Sequence, residues 1–309
     1  MRLPRPNALV VAAAFAVLAV GSAGCGDDDD AQAQAQQGNA AAEEAVPDKL
    51  RMAVTDLQGL EELQREFGAF TDELGKAIGT EIELFPVSDR TAAAAALAGE
   101  QVDLVFTGPA EYIVLHERAD VEPVVAIRRA DYRSCIYVES DSDVQELEDL
   151  RGKKIGMSDI GSTSGHLGPS QLLVDAGLDP QEDLEVITVG DAVQPALERG
   201  DVDAVGVGCH DRDEYLAGKE DEFRTIIEGP ALPPDVVVAA PEVSDATIEA
   251  VRTGFQENWP ALLAAMLDGK DNAKYDKAEL VEVSDADYDV VRSMYGAIGV
   301  DDTTEFLGS

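Results

Sequence analysis

The chain has 309 residues, of which 62 are acidic and 23 are Lys or Arg, giving a formal net charge of −39. So large an acidic excess repels polyanions, which argues against nucleic acid and anionic membrane surfaces as partners. It suits a protein that faces high salt, where self-repulsion is screened. The length permits a sizeable core or two lobes, and only 5% of residues are aromatic, so the core must be mostly aliphatic.

The first 24 residues have the features of an export signal. Two arginines precede an apolar stretch at 8–20, which is too short to cross a bilayer easily. The letters SAGC, ending at Cys25, resemble a bacterial lipobox, in which the cysteine is acylated and becomes the first residue. We therefore expect a lipoprotein signal peptide at 1–24 and an extracytoplasmic protein anchored to the cell membrane by a lipid on Cys25. The alternative is an ordinary signal peptide that is cut near Ala23.

Residues 25–47 differ in composition from the rest of the chain. They are acidic, have low complexity and lack apolar anchors. Such a segment cannot bury enough apolar surface to fold, so the sequence predicts a disordered acidic tether.

From residue 49 onward, strand patterns and helix patterns alternate. The first set predicts strands at 50–55, 81–87, 102–106 and 121–127, and helices at 60–78, 91–99 and 110–117. The second set predicts strands at 134–139, 154–157, 185–189, 202–207 and 225–228, and helices at 144–150, 168–176 and 192–199. The stretch from residue 244 onward reads as mostly helical. This alternation favours an α/β fold with largely parallel sheets.

Two such sets predict two lobes, each a mostly parallel sheet flanked by helices. Lobe 1 would comprise residues 48–132 and 231–309, and lobe 2 would comprise residues 133–230. In open α/β sheets, ligands bind beyond the carboxyl ends of the strands. A ligand held between the lobes would then meet the strand ends at residues 107–108, 159–164, 189–190 and 209–210.

Three consecutive hydroxyl residues mark the predicted start of a helix in the second set. Ser162, Thr163 and Ser164 follow the strand at 154–157 and are closed by Gly165. A helix N-terminus offers unpaired N–H groups and a partial positive charge, and glycine lets the backbone come close to a ligand. The sequence therefore predicts an oxyanion cradle. The alternative is a plain N-cap, which uses one hydroxyl rather than three.

Several segments together resemble the phosphate/phosphite/phosphonate-binding proteins of ABC importers. They are residues 132–135 (YRSC), 147–153 (LEDLRGK), 162–165 (STSG), 197–203 (LERGDVD) and 232–233 (LP). The resemblance extends over about residues 49–238 and implies a two-lobed type II periplasmic-binding fold. It implies a transport protein that performs no chemistry on its ligand and needs no cofactor.

By this resemblance, the hydroxyl triplet at 162–164 binds the oxygens of a phosphoryl or phosphonyl group, and Tyr132 adds a hydroxyl from the hinge side. Arg90 stands where the family can place a ligand-facing tyrosine. An arginine there could clamp an anion through two hydrogen bonds, or it could lie on the surface at a helix start. Thr107 could add a hydroxyl from the first lobe, or it could be structural.

Three further positions bear on the identity of the ligand. The histidine that the family places after the strand at 185–189 is replaced by Gly190. His210 falls near one of two acids with which aminophosphonate binders hold the ligand's amine, and Asp235 matches the other. Because only one of these acids is kept, phosphate, phosphite or a small phosphonate is better supported than an aminophosphonate.

Catalysis and metal binding have weaker support. Residues 161–165 resemble the nucleophile elbow G-x-S-x-G, but the central residue is Thr163, and His166 has no evident partner to orient it. Residues 209–211 (CHD) offer at most a partial metal shell. We therefore expect no catalytic residue and no metal site. An exported enzyme that uses His210 as a general base is the alternative.

Besides Cys25, the chain contains Cys135 and Cys209, both in the second lobe. In an oxidising exterior compartment they are expected to form a disulfide. Taken together, the sequence predicts a monomeric, lipid-anchored binding protein that passes a small phosphorus oxyanion to an ABC permease. A binding protein or sensor for another small anion remains the alternative within this class.

Overall fold

The computed structural model describes residues 45–57 and 59–306, so the signal peptide, Cys25 and most of the tether lie outside the described residues. Its strands, β1 to β11 in chain order, are Lys49–Val54, Glu81–Leu84, Leu104–Thr107, Glu122–Arg128, Ser134–Glu139, Lys154–Met157, Glu185–Thr188, Ala204–Gly208, Phe223–Glu228, Asp235–Ala239 and Glu279–Val281. Its α-helices, α1 to α8, are Leu60–Ile78, Ala92–Ala98, Pro109–Ala119, Gly168–Asp175, Val193–Glu198, Cys209–Tyr215, Asp245–Met266 and Asp289–Ala297.

The first sheet has six strands in the order β11-β4-β10-β3-β1-β2. Strand β1 pairs in parallel with β2 and β3, whereas β10 lies antiparallel between β3 and β4, and β11 lies antiparallel to β4. Strands β3 and β10 are buried along their whole length. Their continuous apolar runs explain why they occupy the middle of a sheet that is covered on both faces. This sheet and the helices packed on it are called the first lobe below.

The second sheet has five strands in the order β7-β6-β8-β5-β9. Strand β6 pairs in parallel with β7 and β8, and β5 is antiparallel to β8 and β9. This sheet and its helices form the second lobe. The chain passes to it between β4 and β5 and returns between β9 and β10. The two-lobed α/β prediction is thus confirmed, while the residue limits given for each lobe stay a prediction.

The first lobe is held by close packing of its two longest helices. Helix α1 buries Phe67 and Phe70 on one face, and burying such a side chain stabilises the fold by roughly 1.5–3 kcal/mol. Gly254 of α7 lies so close that a Cβ there would come 2.4 Å from a methyl group of Ile78. The contact between α1 and α7 therefore depends on a residue without a side chain.

A disulfide fixes the end of one central strand of the second lobe. Cys135 of β5 is bonded to Cys209, the first residue of α6, with their Cα atoms 5.0 Å apart. Helix α6 directly follows β8, and β5 is the neighbour of β8 in the sheet. The disulfide therefore attaches the start of α6 to this neighbouring strand.

The observed elements differ from the predicted ones in a few places. The helix predicted at 144–150 is only a 3₁₀ turn, Leu147–Leu150. A capping box between Glu146 and Asp149 makes that turn start at Leu147, and it ends at Leu150 as predicted, two residues before Gly152 with φ +77°. Helix α6 begins where the sequence indicated a strand end, and β10 and β11 were not predicted. In the part of the chain that the structure describes, no helix has the length and hydropathy needed to cross a membrane.

Candidate functional site

The hydroxyl triplet lies in a tight turn between β6 and α4. A π-helical turn, Thr163–Leu167, leads directly into α4, and the Ser162 hydroxyl caps it by accepting a hydrogen bond from the Gly165 N–H at 3.3 Å. A Cβ on Gly165 would lie 2.4 Å from the Cβ of Ser158, so the turn closes only with glycine there. One hydroxyl of the triplet is therefore used by the turn itself, as in the plain N-cap alternative.

Thr163 reaches from the second lobe to the first. Its Oγ1 accepts a hydrogen bond from the N–H of Ala110 at 3.0 Å, and Thr163 is buried. Ala110 lies in the first turn of α3, whose N-cap is Gly108 and which has no side-chain cap of its own. The triplet and the electropositive end of α3 thus face each other across the lobes.

Apolar contact reinforces this junction. Leu167, at the end of the π-helical turn, belongs to the same buried cluster as Val114 of α3 and Tyr295 of α8. The Tyr295 hydroxyl donates to the carbonyl oxygen of Ala110 at 2.9 Å. The turn that carries the triplet is therefore packed against the first lobe as well as the second.

Ser164 lies at another boundary of the site. It is half-buried, and its hydroxyl makes no hydrogen bond among residues 45–57 and 59–306. A Cβ on Gly208 would come 2.9 Å from the Ser164 Oγ and 2.6 Å from Oδ2 of Asp211. Burial raises the pKa of Asp211, and the charges of Lys274 and Arg129 oppose that rise. The Ser164 hydroxyl and the Asp211 carboxylate therefore converge on the backbone at the start of α6.

Tyr132 forms part of a stack beside the triplet. The guanidinium carbon of Arg129 lies 3.4 Å from the centroid of the Tyr132 ring, and its Nη2 donates to Oδ1 of Asp235 at 2.9 Å. Burial raises the pKa of Tyr132, while the Arg129 charge and a contact of its hydroxyl with Thr163 act to lower it. Burial also raises the pKa of Asp235, against the effect of Arg129. Tyr132 and Asp235, predicted from the resemblance, thus meet through Arg129.

Arg90 is surrounded by carboxylates. Its Nη1 donates to Asp56 at 2.9 Å and to Glu111 at 2.8 Å, and its Nη2 lies 3.7 Å from the Asp159 carboxylate on the turn before the triplet. Burial acts to raise the pKa of Asp56, but Lys274, 2.9 Å away, and Arg90 outweigh it and hold the pKa below its usual range. Arg90 therefore links the first lobe to the turn that bears the triplet.

Gly190, which stands where the family places a histidine, lies against the side chain of Asp159. Gly190 has φ +56°, and a Cβ there would lie 2.8 Å from Oδ1 of Asp159. A histidine side chain would occupy the space that Asp159 uses to face Arg90. The replacement thus accompanies a carboxylate–guanidinium contact between the lobes.

Thr107 and His210 are placed differently from the other predicted residues. The Thr107 Oγ1 is buried and lies 3.0 Å from the Oγ1 of Thr55, so its hydroxyl is already paired. His210 is exposed on α6 and makes no hydrogen bond within the described ranges. The ligand roles expected for both stay predictions.

His166 supports the turn rather than standing free. It is buried, and its Nδ1 accepts a hydrogen bond from the Gly161 N–H at 3.2 Å. Burial lowers the pKa of His166 to about 4, so the ring is neutral at pH 7. Residues 45–57 and 59–306 contain no group of three or more His, Cys, Asp and Glu placed to hold a metal ion.

Several charged residues of the site were missed in the sequence. They are Asp56, Glu111, Arg129 and Lys274, whereas Asp211 was considered only as part of a partial metal shell. Asp56 and Arg129 follow the carboxyl ends of β1 and β4, where ligand-facing residues are expected, so that rule would have found them. Nothing in the pattern around Lys274 indicates its contact with Asp56.

Two α/β lobes that meet at a polar site define the class of periplasmic solute-binding proteins. The chain matches the family model described as "ABC transporter, phosphonate, periplasmic substrate-binding protein" over residues 52–288. It belongs to that family, as the sequence predicted. Members of the family are transport proteins rather than enzymes, and their fold is the predicted two-lobed type II fold.

Individual relatives agree with this assignment. The phosphate-import protein PhnD of Mycolicibacterium smegmatis is 25% identical over 281 residues, which cover 83% of this chain and 88% of that protein. PhnD1 of Prochlorococcus marinus, solved with methylphosphonate, has a TM-score of 0.62 at 16% identity and covers 82% of this chain and 98% of its own. A binding protein of an ABC phosphonate transporter from Pseudomonas aeruginosa has a TM-score of 0.61 at 18% identity. The match covers 80% of this chain and 85% of that protein. At such identities the solved structures show a shared fold.

Proposed function

We propose that this protein captures phosphate, phosphite or a small phosphonate between its lobes and delivers it to an ABC permease. The observation that carries the proposal is the hydrogen bond between the lobes, from Ala110 to Thr163. It brings the hydroxyl triplet and the N-terminus of α3 to one point, and both are groups that bind oxyanions. The M. smegmatis relative, a phosphate-import protein, supports the same ligand class.

Binding would use the groups that now bond to each other. An oxygen of the ligand would accept the Ala110 N–H in place of Thr163, and the Thr163 hydroxyl would turn to donate to the ligand. Ser164, whose hydroxyl has no partner in the described chain, would supply another donor, and Tyr132 a further one. Hydrogen bonds to a charged acceptor contribute about 1.5–3 kcal/mol each, so a few of them suffice for tight binding.

Such a ligand would also join the two lobes. Ala110 belongs to the first lobe and the triplet to the second, so donors on both would share one anion. Arg90, already paired with Asp56 and Glu111 and 3.7 Å from Asp159, would help to hold the lobes together around the ligand. The permease would then recognise the closed, ligand-bound form of the protein.

The cellular setting is part of the proposal. We infer that residues 1–24 are removed, that a lipid on Cys25 anchors a monomer to the outer face of the membrane, and that residues 25–47 act as its tether. The lipobox-like SAGC letters and the acidic low-complexity composition support this setting. No cofactor and no nucleic acid take part.

A panel of ligands tests the proposed function. The melting temperature of the mature protein should rise with phosphate, phosphite or methylphosphonate, and less with sulfate or acetate at equal concentration. A ligand at a hundred times its Kd stabilises the folded state by about 2.7 kcal/mol, which is easily measured. If none of the phosphorus oxyanions raises the melting temperature while an unrelated anion does, the alternative of a binding protein for another small anion replaces this proposal.

A further inference from the structure

Beside the triplet lies a buried ion pair whose partners come from two neighbouring strands. Arg129 directly follows β4, and Asp235 is the first residue of β10, where it pairs with Ile127 in the sheet. The Asp235 side chain is almost fully buried, with 3% of its surface exposed, and its Oδ1 accepts from Arg129 Nη2 at 2.9 Å. The pair is therefore fixed by the register of the first sheet.

This ion pair is only half satisfied. The Nε of Arg129 and the Oδ2 of Asp235 are buried and have no hydrogen-bond partner in the chain from residue 45 to 306, Gln58 aside. The Tyr275 hydroxyl lies near Asp235 and affects its pKa, yet it makes no hydrogen bond of regular geometry with Oδ2. Because unpaired buried donors and acceptors are costly, the pair presents one open donor and one open acceptor suited to a ligand.

The open groups border the oxyanion cradle. The Tyr132 ring lies against the Arg129 guanidinium on one side, and its hydroxyl contacts Thr163 of the triplet. The charge of Arg129 also reaches Asp211, which lies beside Ser164 at the start of α6. A ligand on the triplet would therefore place its remaining substituent next to Arg129 and Asp235.

The charges around Asp235 leave little room for a cation. Arg129 pairs directly with Asp235. Lys274, which is paired with Asp56, also acts to lower the pKa of Asp235. An ammonium group on the ligand would have to approach both cations to reach this carboxylate. Like charges brought together in a desolvated site oppose binding, whereas an ionised oxygen would find a free N–H donor.

We propose that Arg129 is a specificity-determining residue, which rejects ligands bearing an ammonium group and donates its Nε–H to a second oxygen of the anion. The inference rests on the proposed function and narrows it to phosphorus oxyanions with small uncharged substituents. Asp235, whose charge is already balanced by Arg129, would accept a hydrogen bond from a hydroxyl of the ligand rather than bind an amine.

Calorimetric titration with methylphosphonate, 2-aminoethylphosphonate and propylphosphonate tests this role. All three carry the phosphonate group, and propylphosphonate has the length of 2-aminoethylphosphonate without its charge, so it separates rejection of the ammonium from rejection of a longer ligand. If propylphosphonate is rejected as strongly as 2-aminoethylphosphonate, size rather than Arg129 sets the preference. The wild-type protein should prefer methylphosphonate by roughly a hundredfold. In Arg129→Met the freed Asp235 should attract the ammonium, and the preference should fall to within about tenfold. Arg129→Lys keeps a cation beside Asp235 and should still reject the amine. Arg128→Met, at an exposed neighbour that pairs with Glu279, is the matched control and should keep the wild-type preference.

The possible results separate this inference from the proposed function. If the wild-type protein binds neither phosphonate nor phosphate nor phosphite, both fail. If it binds phosphate or phosphite but no phosphonate, the proposed function stands and the inference that the site admits small uncharged substituents is overturned. If it binds methylphosphonate but does not discriminate, or if Arg129→Met keeps the full preference, only the role of Arg129 is overturned.

A double variant covers the case in which Arg129→Met does not fold. Arg129→Met with Asp235→Asn leaves no unpaired buried charge. It should bind methylphosphonate at least about tenfold more weakly than the wild type. Unchanged affinity would overturn the role of Arg129 as a donor.

Discussion

The three hydroxyls of the triplet serve three different neighbours. Ser162 caps its own turn, Thr163 meets the first turn of α3, and Ser164 lies against the start of α6. The residue types predicted an oxyanion site, but the different neighbours of the three hydroxyls follow from where α3 and α6 begin. Sequence alone could not supply that information, because α6 itself was not predicted.

His166 makes the turn below the triplet sensitive to acid. Its folded-state pKa of about 4 lies below the ordinary value of 6.5, so between these values the unfolded chain binds a proton that the folded chain does not. The stability that this group contributes is complete above pH 6.5 and is lost as the pH falls towards 4. The loss amounts to at most about 3 kcal/mol.

His166→Asn should remove most of this acid sensitivity, because an amide oxygen can accept the Gly161 N–H without titrating. Urea unfolding at pH 7 and near pH 4.5 measures the loss of unfolding free energy between the two pH values, with His210→Asn as the exposed control. An equal loss of stability in wild type and His166→Asn over this range would contradict the account.

At the scale of elements, the loops after β6 and β7 act together. Asp159 follows β6, Gly190 follows β7, and the Asp159 carboxylate lies against the Gly190 backbone and towards Arg90. Two loops of one lobe thereby orient a contact with the other. The parallel pairing of β6 and β7 is what places these loops side by side.

Gly190→Ala tests this arrangement. Alanine at φ +56° should cost about 1–2 kcal/mol of stability through backbone strain, and its Cβ would displace the Asp159 carboxylate. Gly200→Ala is the matched control, because it has φ +70° and open space around it. Both variants should lose stability by denaturant unfolding, but only Gly190→Ala should change oxyanion affinity. Equal affinities of the two variants would show that the loop contact does not matter for binding.

Much of the fold was predictable because its local signals agree. Helix α1 and strands β5 and β6 have the predicted bounds, since each is a periodic or apolar run closed by turn residues. The Arg129–Asp235 pair was not predictable as a unit. It depends on the register of β10 against β4, and the whole second lobe separates these two strands along the chain. Contacts of this kind are set by topology rather than by spacing along the chain.

At the scale of the molecule, the net charge of −39 should make stability depend on salt. Carboxylates repel one another more strongly in the compact state, and salt screens this repulsion over distances of about 10 Å at 0.1 M. The free energy of unfolding by urea should therefore rise as KCl is increased from low concentration to about 1 M. The rise should shrink near pH 4, where Asp and Glu begin to protonate. A stability that falls with KCl at pH 7 would contradict this expectation.

In the proposed function, an oxyanion is held between the lobes by Thr163 and the start of α3. Calorimetric titration of phosphite, phosphate and methylphosphonate into wild type and Thr163→Val tests it most directly. Valine keeps the shape of the side chain and removes the hydroxyl, which should weaken binding by about 1.5–3 kcal/mol, or roughly tenfold to a hundredfold.

Ser170→Ala, which removes a buried hydroxyl that bonds within the second lobe to the His166 carbonyl, should leave the affinity close to wild type. Binding should be weakened in Thr163→Val alone. Wild-type affinity in Thr163→Val for every ligand that the unmodified protein binds would contradict it.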